Sequence, residues 1–247
     1  MCGRYAFTLP PEAMRDLFRT LNSIDYPPRY NIAPTQPIVT VLNERGRREA
    51  RLARWGLVPE WVKDPREFPL IINARVEGLT GKPAFRGAMR HHRCIVPASG
   101  YYEWKKEPGG AKTPYYITRV DGGPMAFAGL FSTWLGPSGE EVDTAAIVTV
   151  PSGPDTADIH DRMPAVLSDD DIDFWLDNTP GSAGNAEAAR QLALPLPMGS
   201  LAMHAVSQRV NSNRNEGPDL IEPATESRPE PKRKAAGGGG SGQMDLF

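Results

Sequence analysis

The pattern of apolar and polar positions predicts a chain built mainly from β-strands. Residues 37–43 (PIVTVLN) and 48–55 (REARLARW) flank Glu44-Arg45-Gly46, a combination typical of a β-hairpin. Short apolar or alternating runs predict further strands at residues 1–8, 93–99, 101–106, 114–120, 125–131 and 145–151. With glycine-rich turns between several of them, these runs favour a sheet protein with one core.

Three segments show helical patterns instead. Residues 11–21 place Met14, Leu17, Phe18 and Leu21 on one face, with Thr8 as a candidate N-cap. A second helix is predicted after Ser168, where aspartates occupy the positive end of the helix, and a third over residues 186–194. The predicted fold class is therefore α+β, dominated by strands, with peripheral helices.

The composition changes near Pro223. Residues 223–242 contain almost no large apolar side chain and end in GGGGSG, which predicts a flexible linker. Apolar residues then return in the last five positions, 243–247, with the sequence QMDLF. An apolar cluster after such a linker is typical of a docking peptide, although a GGGGSG segment is also found in engineered linkers.

The distribution of charge is more informative than its sum. The net charge is −2, but residues 1–119 carry 20 Lys and Arg against 11 Asp and Glu, a net of +9, and the remaining residues carry −11. Of the 28 basic residues, 21 are arginine, which binds phosphate in two-pronged geometry. This asymmetry predicts a polyanionic partner. The 24 glycines and 25 prolines argue against a helical bundle.

From the sequence we do not expect a membrane protein, a secreted protein, a disulfide-stabilised protein or a metalloprotein. The sequence contains no run of roughly 18 apolar residues, so no membrane span is predicted. The first residues lack the apolar region of a secretion signal. The two cysteines, Cys2 and Cys94, do not form a disulfide framework. Cys94 begins the apolar run CIVPA and is expected to be a core thiol. We expect no metal site and no cofactor.

Cys2 is the first candidate for chemistry. Removal of Met1 would leave an α-amine and a thiol on adjacent carbons. The α-amine has a pKa of about 7.7–8.0, so part of it is neutral at pH 7, unlike a lysine amine. A neutral amine attacks an aldehyde to give an imine. The neighbouring thiol can then close a five-membered thiazolidine ring, so this terminus is suited to trapping aldehydes.

Glu103 lies in GYYEWKK, where strand alternation places Tyr102 and Trp104 towards the core and Glu103 on the opposite face. If that face lines a pocket, burial would raise the pKa of Glu103 and suit it to acid–base chemistry. The alternative is an exposed carboxylate paired with Lys105 or Lys106.

Two further segments carry candidate polar residues. His160 lies between Asp158 and Asp161, which would favour its protonated form, although a single histidine is more often structural. Asn73 and Arg75 follow the apolar run 70–72, which we interpret as the end of a buried strand that points polar groups into a site.

Seven motifs occur in order over residues 1–222: MCGRY, RYNIAPT, WGLVPEW, INARVE, GYYEWKK, IHDRMP and AVSQRVNSNRNEGPDLI. In these the chain resembles the SRAP family, named for SOS-response-associated peptidase. The resemblance implies one compact α+β domain over residues 1–222, with a β-barrel-like core and a basic groove. It also implies that the N-terminal cysteine captures the aldehyde of an abasic site in single-stranded DNA as a covalent thiazolidine, protecting the site during replication.

The resemblance assigns a role to each matching position. It implies Cys2 as the nucleophile, Asn73 as a positioning group, and Glu103 and His160 as the groups that move protons. The DNA-binding positions it implies are Arg4, Asn31, Trp61, Arg75, Lys82 and Arg86. Trp61-Val62 stands where relatives can have two tryptophans, and Gly78-Leu79 follows Glu77 where a threonine is common. Neither departure removes a catalytic group.

The terminal peptide is similar to the short motif by which bacterial replication proteins bind the sliding clamp. Leu246 and Phe247 would fill an apolar pocket while Gln243 forms a hydrogen bond at its rim. We therefore expect the protein to be a monomer in the bacterial cytoplasm, associated with the nucleoid and the replication fork.

Three alternatives remain open at this stage. The first is a cysteine peptidase or N-terminal-nucleophile hydrolase using Cys2 and His160, which would not need the amine. The second is a single-strand binder that makes no covalent bond and for which Cys2 is dispensable. The third is an abasic-site lyase, because an imine can also lead to strand cleavage.

Overall fold

The computed structural model describes residues 2–179 and 185–224, and within them four α-helices and thirteen β-strands. The helices are α1 Pro11–Phe18, α2 Pro83–His91, α3 Asp169–Leu176 and α4 Asn185–Leu192. The strands are β1 Tyr5–Phe7, β2 Arg29–Ile32, β3 Pro37–Glu44, β4 Arg47–Trp55, β5 Asn73–Arg75, β6 Arg93–Ala98, β7 Gly100–Lys106, β8 Lys112–Arg119, β9 Met125–Leu135, β10 Glu141–Pro151, β11 Arg162–Pro164, β12 Val166–Leu167 and β13 Leu201–Ala205.

Five of these strands close into a barrel. β3 pairs with β4 and with β6, β6 pairs with β9, and β9 pairs with β10, all antiparallel. The ring closes where β10 meets β4 in parallel, with Thr144 opposite Arg54. The inward side chains are apolar and buried, and they form the main core. The expectation of an α+β domain with a β-barrel-like core is confirmed.

A second sheet, in the order β13-β8-β7-β1-β2, packs on the barrel. Tyr5 of β1 meets Trp55 edge-on at 5.3 Å between ring centroids, and Tyr101 of β7 meets Phe127 at 6.1 Å. The opposite face of this sheet is covered by residues 206–221, where Val210 packs in a cluster that includes Tyr102 and Tyr116. The centre of this sheet, at β1 and the first half of β7, is therefore buried on both faces.

Strand β10 carries a polar segment on each side of its carboxyl end. Parallel strand β5 pairs with Ile147–Thr149, and antiparallel strand β11 pairs with Thr149–Pro151. Asn73 and the residues next to His160 are therefore brought to one end of the barrel although they are far apart in sequence. The strand here is the polar segment itself, and Leu70 is 51% exposed, so the interpretation of residues 70–72 as a buried strand was wrong.

The β3–β4 hairpin is confirmed, with Arg45 and Gly46 in the left-handed conformation (φ 52° and 78°) that a two-residue turn of this hand requires. The predicted length of α1 was wrong. The helix ends at Phe18 because Arg19 adopts φ 53°, so Leu21 lies outside it and is 64% exposed. Thr8 does not cap this helix, since its hydroxyl contacts Ser99 Oγ at 2.9 Å.

The prediction for β7 was only partly right. Tyr102 is buried, but Trp104 is half-buried and its indole donates to Asn211 Oδ1 at 2.7 Å. Tyr101, predicted on the opposite face, is also buried. Alternation fails as a guide here because both faces of the second sheet are covered.

Helix α2 had no sequence prediction, although Pro83 at its first turn and buried Phe85 and Met89 are typical helical signals. The fully buried Arg93 holds it in place by donating to the carbonyls of Met89 and Trp175, at 2.6 Å each, near the carboxyl ends of α2 and α3. Burial lowers the pKa of Arg93 to about 10, and the carbonyl partners compensate its charge.

In the described part of the chain, no helix is long and apolar enough to cross a membrane. Within residues 2–179 and 185–224, no group of three or more His, Cys, Asp and Glu is placed to bind a metal ion. Residues 225–242 of the predicted linker and the terminal peptide 243–247 lie outside the described residues.

Candidate active site and DNA-binding surface

Cys2 lies directly before β1 and is fully buried. Its carbonyl accepts a hydrogen bond from Asn73 Nδ2 at 2.8 Å, and its Sγ lies 3.8 Å from the carbonyl oxygen of Arg4. Burial, and next the nearby carboxylate of Glu103, raise the pKa of the Cys2 thiol. In this environment the thiol is protonated at neutral pH.

Glu103 projects from β7 and is 4% exposed. Burial raises the pKa of its carboxyl group, and the nearby imidazole of His160 acts in the opposite direction. Of the two sequence interpretations, the buried carboxyl group is therefore the one observed, and the exposed carboxylate paired with Lys105 or Lys106 is not. A buried carboxyl group that holds its proton to higher pH is suited to acid–base catalysis.

His160 lies in the loop before β11 with two contacts on the same ring nitrogen. The backbone N–H of Arg162 donates to Nδ1 at 3.0 Å, and Asp161 Oδ1 lies 2.8 Å from Nδ1. One nitrogen cannot accept from the amide and donate to the carboxylate at once. The contact with the amide is fixed by the backbone, whereas the Asp161 side chain is 82% exposed.

Arg162 connects the two polar segments that flank β10. Its guanidinium forms a two-pronged ion pair with Glu77, at 2.6 and 3.1 Å, and also donates to the carbonyl of Thr149. The ion pair holds the pKa of Glu77 below its usual range. Because Arg162 follows His160 by two residues and Glu77 follows Asn73 by four, the pair fixes the His160 loop against β5.

Neither residue of this pair was among the predicted site residues, although both lie inside the motifs INARVE and IHDRMP. The sequence does contain a signal for this ion pair: an acidic residue follows Asn73 and a basic residue follows His160 within a few positions. Only the tertiary pairing of β5 and β11 with β10 brings them together.

Three of the predicted DNA-binding residues are exposed cations, and one of them shares β5 with Asn73. Arg75 lies on β5, Lys82 directly before α2, and Arg86 on α2, and all three side chains are exposed. Trp61 is 59% exposed and packs edge-on against Phe68 at 5.7 Å between ring centroids. Cationic side chains with an exposed aromatic ring are the elements that bind single-stranded nucleic acid without reading its sequence.

Arg4 and Asn31 are placed differently. Asn31 is fully buried, and its amide nitrogen donates to the carbonyls of Ser212 and Asn215. Its Oδ1 accepts from Arg4 at 2.7 Å, and Arg4 also donates to the carbonyl of Val210. A direct DNA contact by Asn31 does not fit this burial, and its geometry is that of a group that holds the half-buried Arg4.

The site thus brings together Cys2, Asn73, Glu103 and His160, the four residues expected to carry the chemistry. It combines an anchored main chain at residue 2, a buried thiol, a carboxyl group of raised pKa and an oriented imidazole. Such a site can protonate and deprotonate an oxygen or nitrogen next to the thiol.

Comparison with known sequences identifies relatives over most of the chain. The family model described as SOS response associated peptidase (SRAP) matches residues 1–213. The abasic site processing protein YoqW of Bacillus subtilis is 36% identical over 227 residues, which cover 90% of this chain and 99% of that protein. YedK of Escherichia coli, with the same description, is 34% identical over 229 residues, covering 90% and 100%. The corresponding HMCES of Xenopus tropicalis is 30% identical over 266 residues, covering 90% and 78%.

Solved structures show the same fold. A protein from Bacteroides thetaiotaomicron superposes with a TM-score of 0.78 at 22% identity, covering 91% of this chain and 100% of its own, and shows the fold alone. A protein from Bordetella bronchiseptica gives a TM-score of 0.72 at 28% identity, covering 83% and 100%. From the family model and its relatives, the chain belongs to the SRAP family.

Proposed function

We propose that this chain processes abasic sites in DNA by capturing them covalently on Cys2. The observation that carries the proposal is the position of Cys2, buried beside Glu103 with its carbonyl held by Asn73. The family relationship supports it, since relatives in bacteria and animals are described as abasic site processing proteins.

The chemistry requires that Met1 be removed first, which exposes the α-amine of Cys2. The amine then attacks the aldehyde carbon of the open abasic sugar, and loss of one water gives an imine. The thiol adds to the imine carbon, and its proton passes to the nitrogen, closing a thiazolidine. Glu103 and His160 would carry protons to and from the departing oxygen and the nitrogen, which is supported by the raised pKa of Glu103 and the nearby imidazole.

The exposed surface supports single-stranded DNA as the form bound. Arg75, Lys82 and Arg86 would bind phosphates and Trp61 would stack on a base, so contacts are made without base-specific readout. Arg4, held by Asn31 and lying 6.0 Å from the centre of the Trp104 ring, would complete the phosphate contacts near Cys2.

A general cysteine peptidase is the less favoured function. A peptidase needs a thiolate, and both burial and Glu103 raise the pKa of the Cys2 thiol. We infer that peptidase-like chemistry is limited to removal of Met1, and that lyase cleavage is a minor outcome because ring closure consumes the imine.

The test uses single-stranded DNA with one abasic site, and protein whose intact mass shows loss of Met1. Wild type is expected to give a band on a denaturing gel that survives heating, and Cys2→Ala to give none. Because Cys2→Ala retains an α-amine, borohydride should still trap its imine. Cys94→Ala, at the second buried cysteine, should crosslink like wild type. Absence of a stable band with wild type would overturn the proposal.

We also propose the domain division given by the sequence: a catalytic, DNA-binding domain over residues 1–222, a linker over 223–242 and a sliding-clamp peptide over 243–247. A tethered clamp contact would raise the local concentration of the domain at replication forks. Substituting Leu246 and Phe247 by alanine should abolish clamp binding while crosslinking of naked DNA is unchanged. Equal clamp affinity of the two proteins would overturn this assignment.

A further inference from the structure

Three polar atoms near Cys2 have no role in the chemistry described so far. Within the described residues, Asn73 Oδ1, the Tyr101 hydroxyl and Thr156 Oγ1 are buried and lack a hydrogen-bond partner. A buried polar atom without a partner lowers stability, so each such atom needs a physical explanation.

Two of these residues lie close to Cys2, and the third lies next to one of them. Asn73 holds the carbonyl of Cys2 through its other amide atom. Tyr101 lies close enough to Cys2 and Glu103 to interact electrostatically with both. The Thr156 hydroxyl lies next to Tyr101 without completing a hydrogen bond of ordinary geometry, and the Thr156 carbonyl accepts the backbone N–H of His160 at 3.1 Å.

The neighbouring tyrosine shows what an ordinary buried tyrosine does in this sheet. Tyr102 is as buried as Tyr101, but its hydroxyl donates to the carbonyl of Tyr30 at 2.7 Å. Tyr101 packs its ring on Phe127, a contact that phenylalanine would make equally well without an unpaired oxygen. Packing therefore explains the ring of Tyr101 and leaves its hydroxyl unexplained.

We propose that Tyr101, Thr156 and Asn73 form a binding site for the hydroxyl group that an abasic deoxyribose releases when its ring opens. The inference rests on the proposed function and specifies which atom of the substrate is recognised. Ring opening breaks the bond between C1 and the ring oxygen O4, forms the C1 aldehyde, and transfers the C1 hydroxyl proton to O4. With both phosphodiesters intact, O4 then carries the one unesterified hydroxyl of the sugar.

This site has the hydrogen-bonding capacity that the released group needs. The Tyr101 and Thr156 hydroxyls can each donate or accept, and Asn73 Oδ1 accepts. They can therefore donate to the ring oxygen before opening and accept from the hydroxyl afterwards. Since only the open form offers an aldehyde to the amine of Cys2, binding the O4 hydroxyl raises the population that can react.

The first experiment compares Tyr101→Phe with Tyr102→Phe in single-turnover crosslinking to abasic single-stranded DNA, and in thermal unfolding. Tyr101→Phe is expected to crosslink about fivefold to tenfold more slowly, the effect of one hydrogen bond, with an unchanged or higher Tm. Tyr102→Phe is expected to crosslink at the wild-type rate with a Tm lower by a few degrees. Thr156→Val should behave like Tyr101→Phe.

The second experiment changes the substrate. An oligonucleotide that carries an alkyl aldehyde without the neighbouring hydroxyl should be captured equally fast by wild type and Tyr101→Phe. A wild-type rate for Tyr101→Phe on abasic DNA, the same defect on both substrates, or a loss of Tm like that of Tyr102→Phe would each overturn the inference. Failure of the proposed function is a separate result, seen as stable crosslinking by Cys2→Ala.

Discussion

Cys2 and Cys94 are both fully buried, and burial raises the pKa of both thiols, yet their surroundings differ. Cys94 lies in β6 between β3 and β9, and its Sγ is so close to the backbone of Gly129 that a Cβ there would lie 2.7 Å from it. Cys2 instead adjoins the amide of Asn73 and the carboxyl group of Glu103.

The difference shows that neither burial nor thiol pKa distinguishes the two cysteines of this protein. A buried thiol surrounded by apolar groups is inert, as at Cys94. The polar groups around Cys2 supply protons, acceptors and an anchored main chain. The functional difference therefore resides in the neighbours of the sulfur, and it can be tested by changing those neighbours.

The largest effect on the rate of capture is expected when Glu103, the acid next to Cys2, is replaced. Glu103→Gln preserves the size of the side chain but cannot exchange a proton, so capture of abasic DNA should slow about 100-fold, a typical contribution of general acid–base catalysis. Single-turnover crosslinking at pH 7 measures the rate. Glu107→Gln, directly after the same strand, is the matched control and should retain the wild-type rate. A Glu103→Gln protein with wild-type kinetics would show that Glu103 is only structural.

The next largest effect is expected from replacing each cysteine by serine, which should lower the free energy of unfolding more at Cys94 than at Cys2. Cys94→Ser places a hydroxyl among apolar atoms and is expected to lower the free energy of unfolding by about 2 kcal/mol. At Cys2 the same change should cost less than half of that, since the Arg4 carbonyl that the thiol faces can accept from serine. Urea unfolding measures both. Equal losses at the two positions would remove the proposed difference in polarity.

The local parts of the fold were predictable from sequence. The β3–β4 hairpin follows from two apolar runs around Arg45-Gly46, and the burial of Cys94 from the run CIVPA. Features that depend on distant segments were not predictable. Residues 206–221 cover the outer face of β7 more than 100 positions away in sequence, so alternation could not show that Tyr101 and Tyr102 are both buried.

The same limit applies to the site. Cys2, Glu103 and His160 could be proposed from their chemistry, but their assembly depends on distant pairings. Pairing of β1 with β7 joins Cys2 to Glu103, and pairing of β5 and β11 with β10 adds Asn73 and the His160 loop. Arg162 and Glu77 have ordinary sequence surroundings and become significant only across β10. Helix α2 was missed because Gly87 interrupts its helical pattern, although the helix presents Arg86 on its exposed side.

A smaller effect is expected from the ion pair that holds His160, because the pair acts through position alone. Arg162→Lys loses the two-pronged contact with Glu77, and capture should slow about fivefold, corresponding to roughly 1 kcal/mol. Glu77→Gln should have a similar effect. In a His160→Ala background neither substitution should slow capture further, which distinguishes positioning of His160 from general destabilisation. Additive losses in that background would contradict a role through His160.

The smallest effect is on stability and concerns the carboxyl group of Glu103 beside the buried Cys2 thiol. Burial raises the pKa of Glu103 above its ordinary value of 4.5, so the folded protein binds this proton more tightly than the unfolded chain. Its contribution to stability is therefore complete below pH 4.5 and is lost as the pH rises through the folded pKa. Glu103→Gln should remove this loss, so the free energy of unfolding of the variant relative to wild type should increase with pH across that interval. Urea unfolding between pH 4 and pH 8 measures this difference, with the exposed Glu12→Gln as control. Parallel pH profiles for wild type and Glu103→Gln would mean that the surroundings of Cys2 do not bind a proton differently from the unfolded chain, and the contrast with Cys94 would then lie in hydrogen bonding alone.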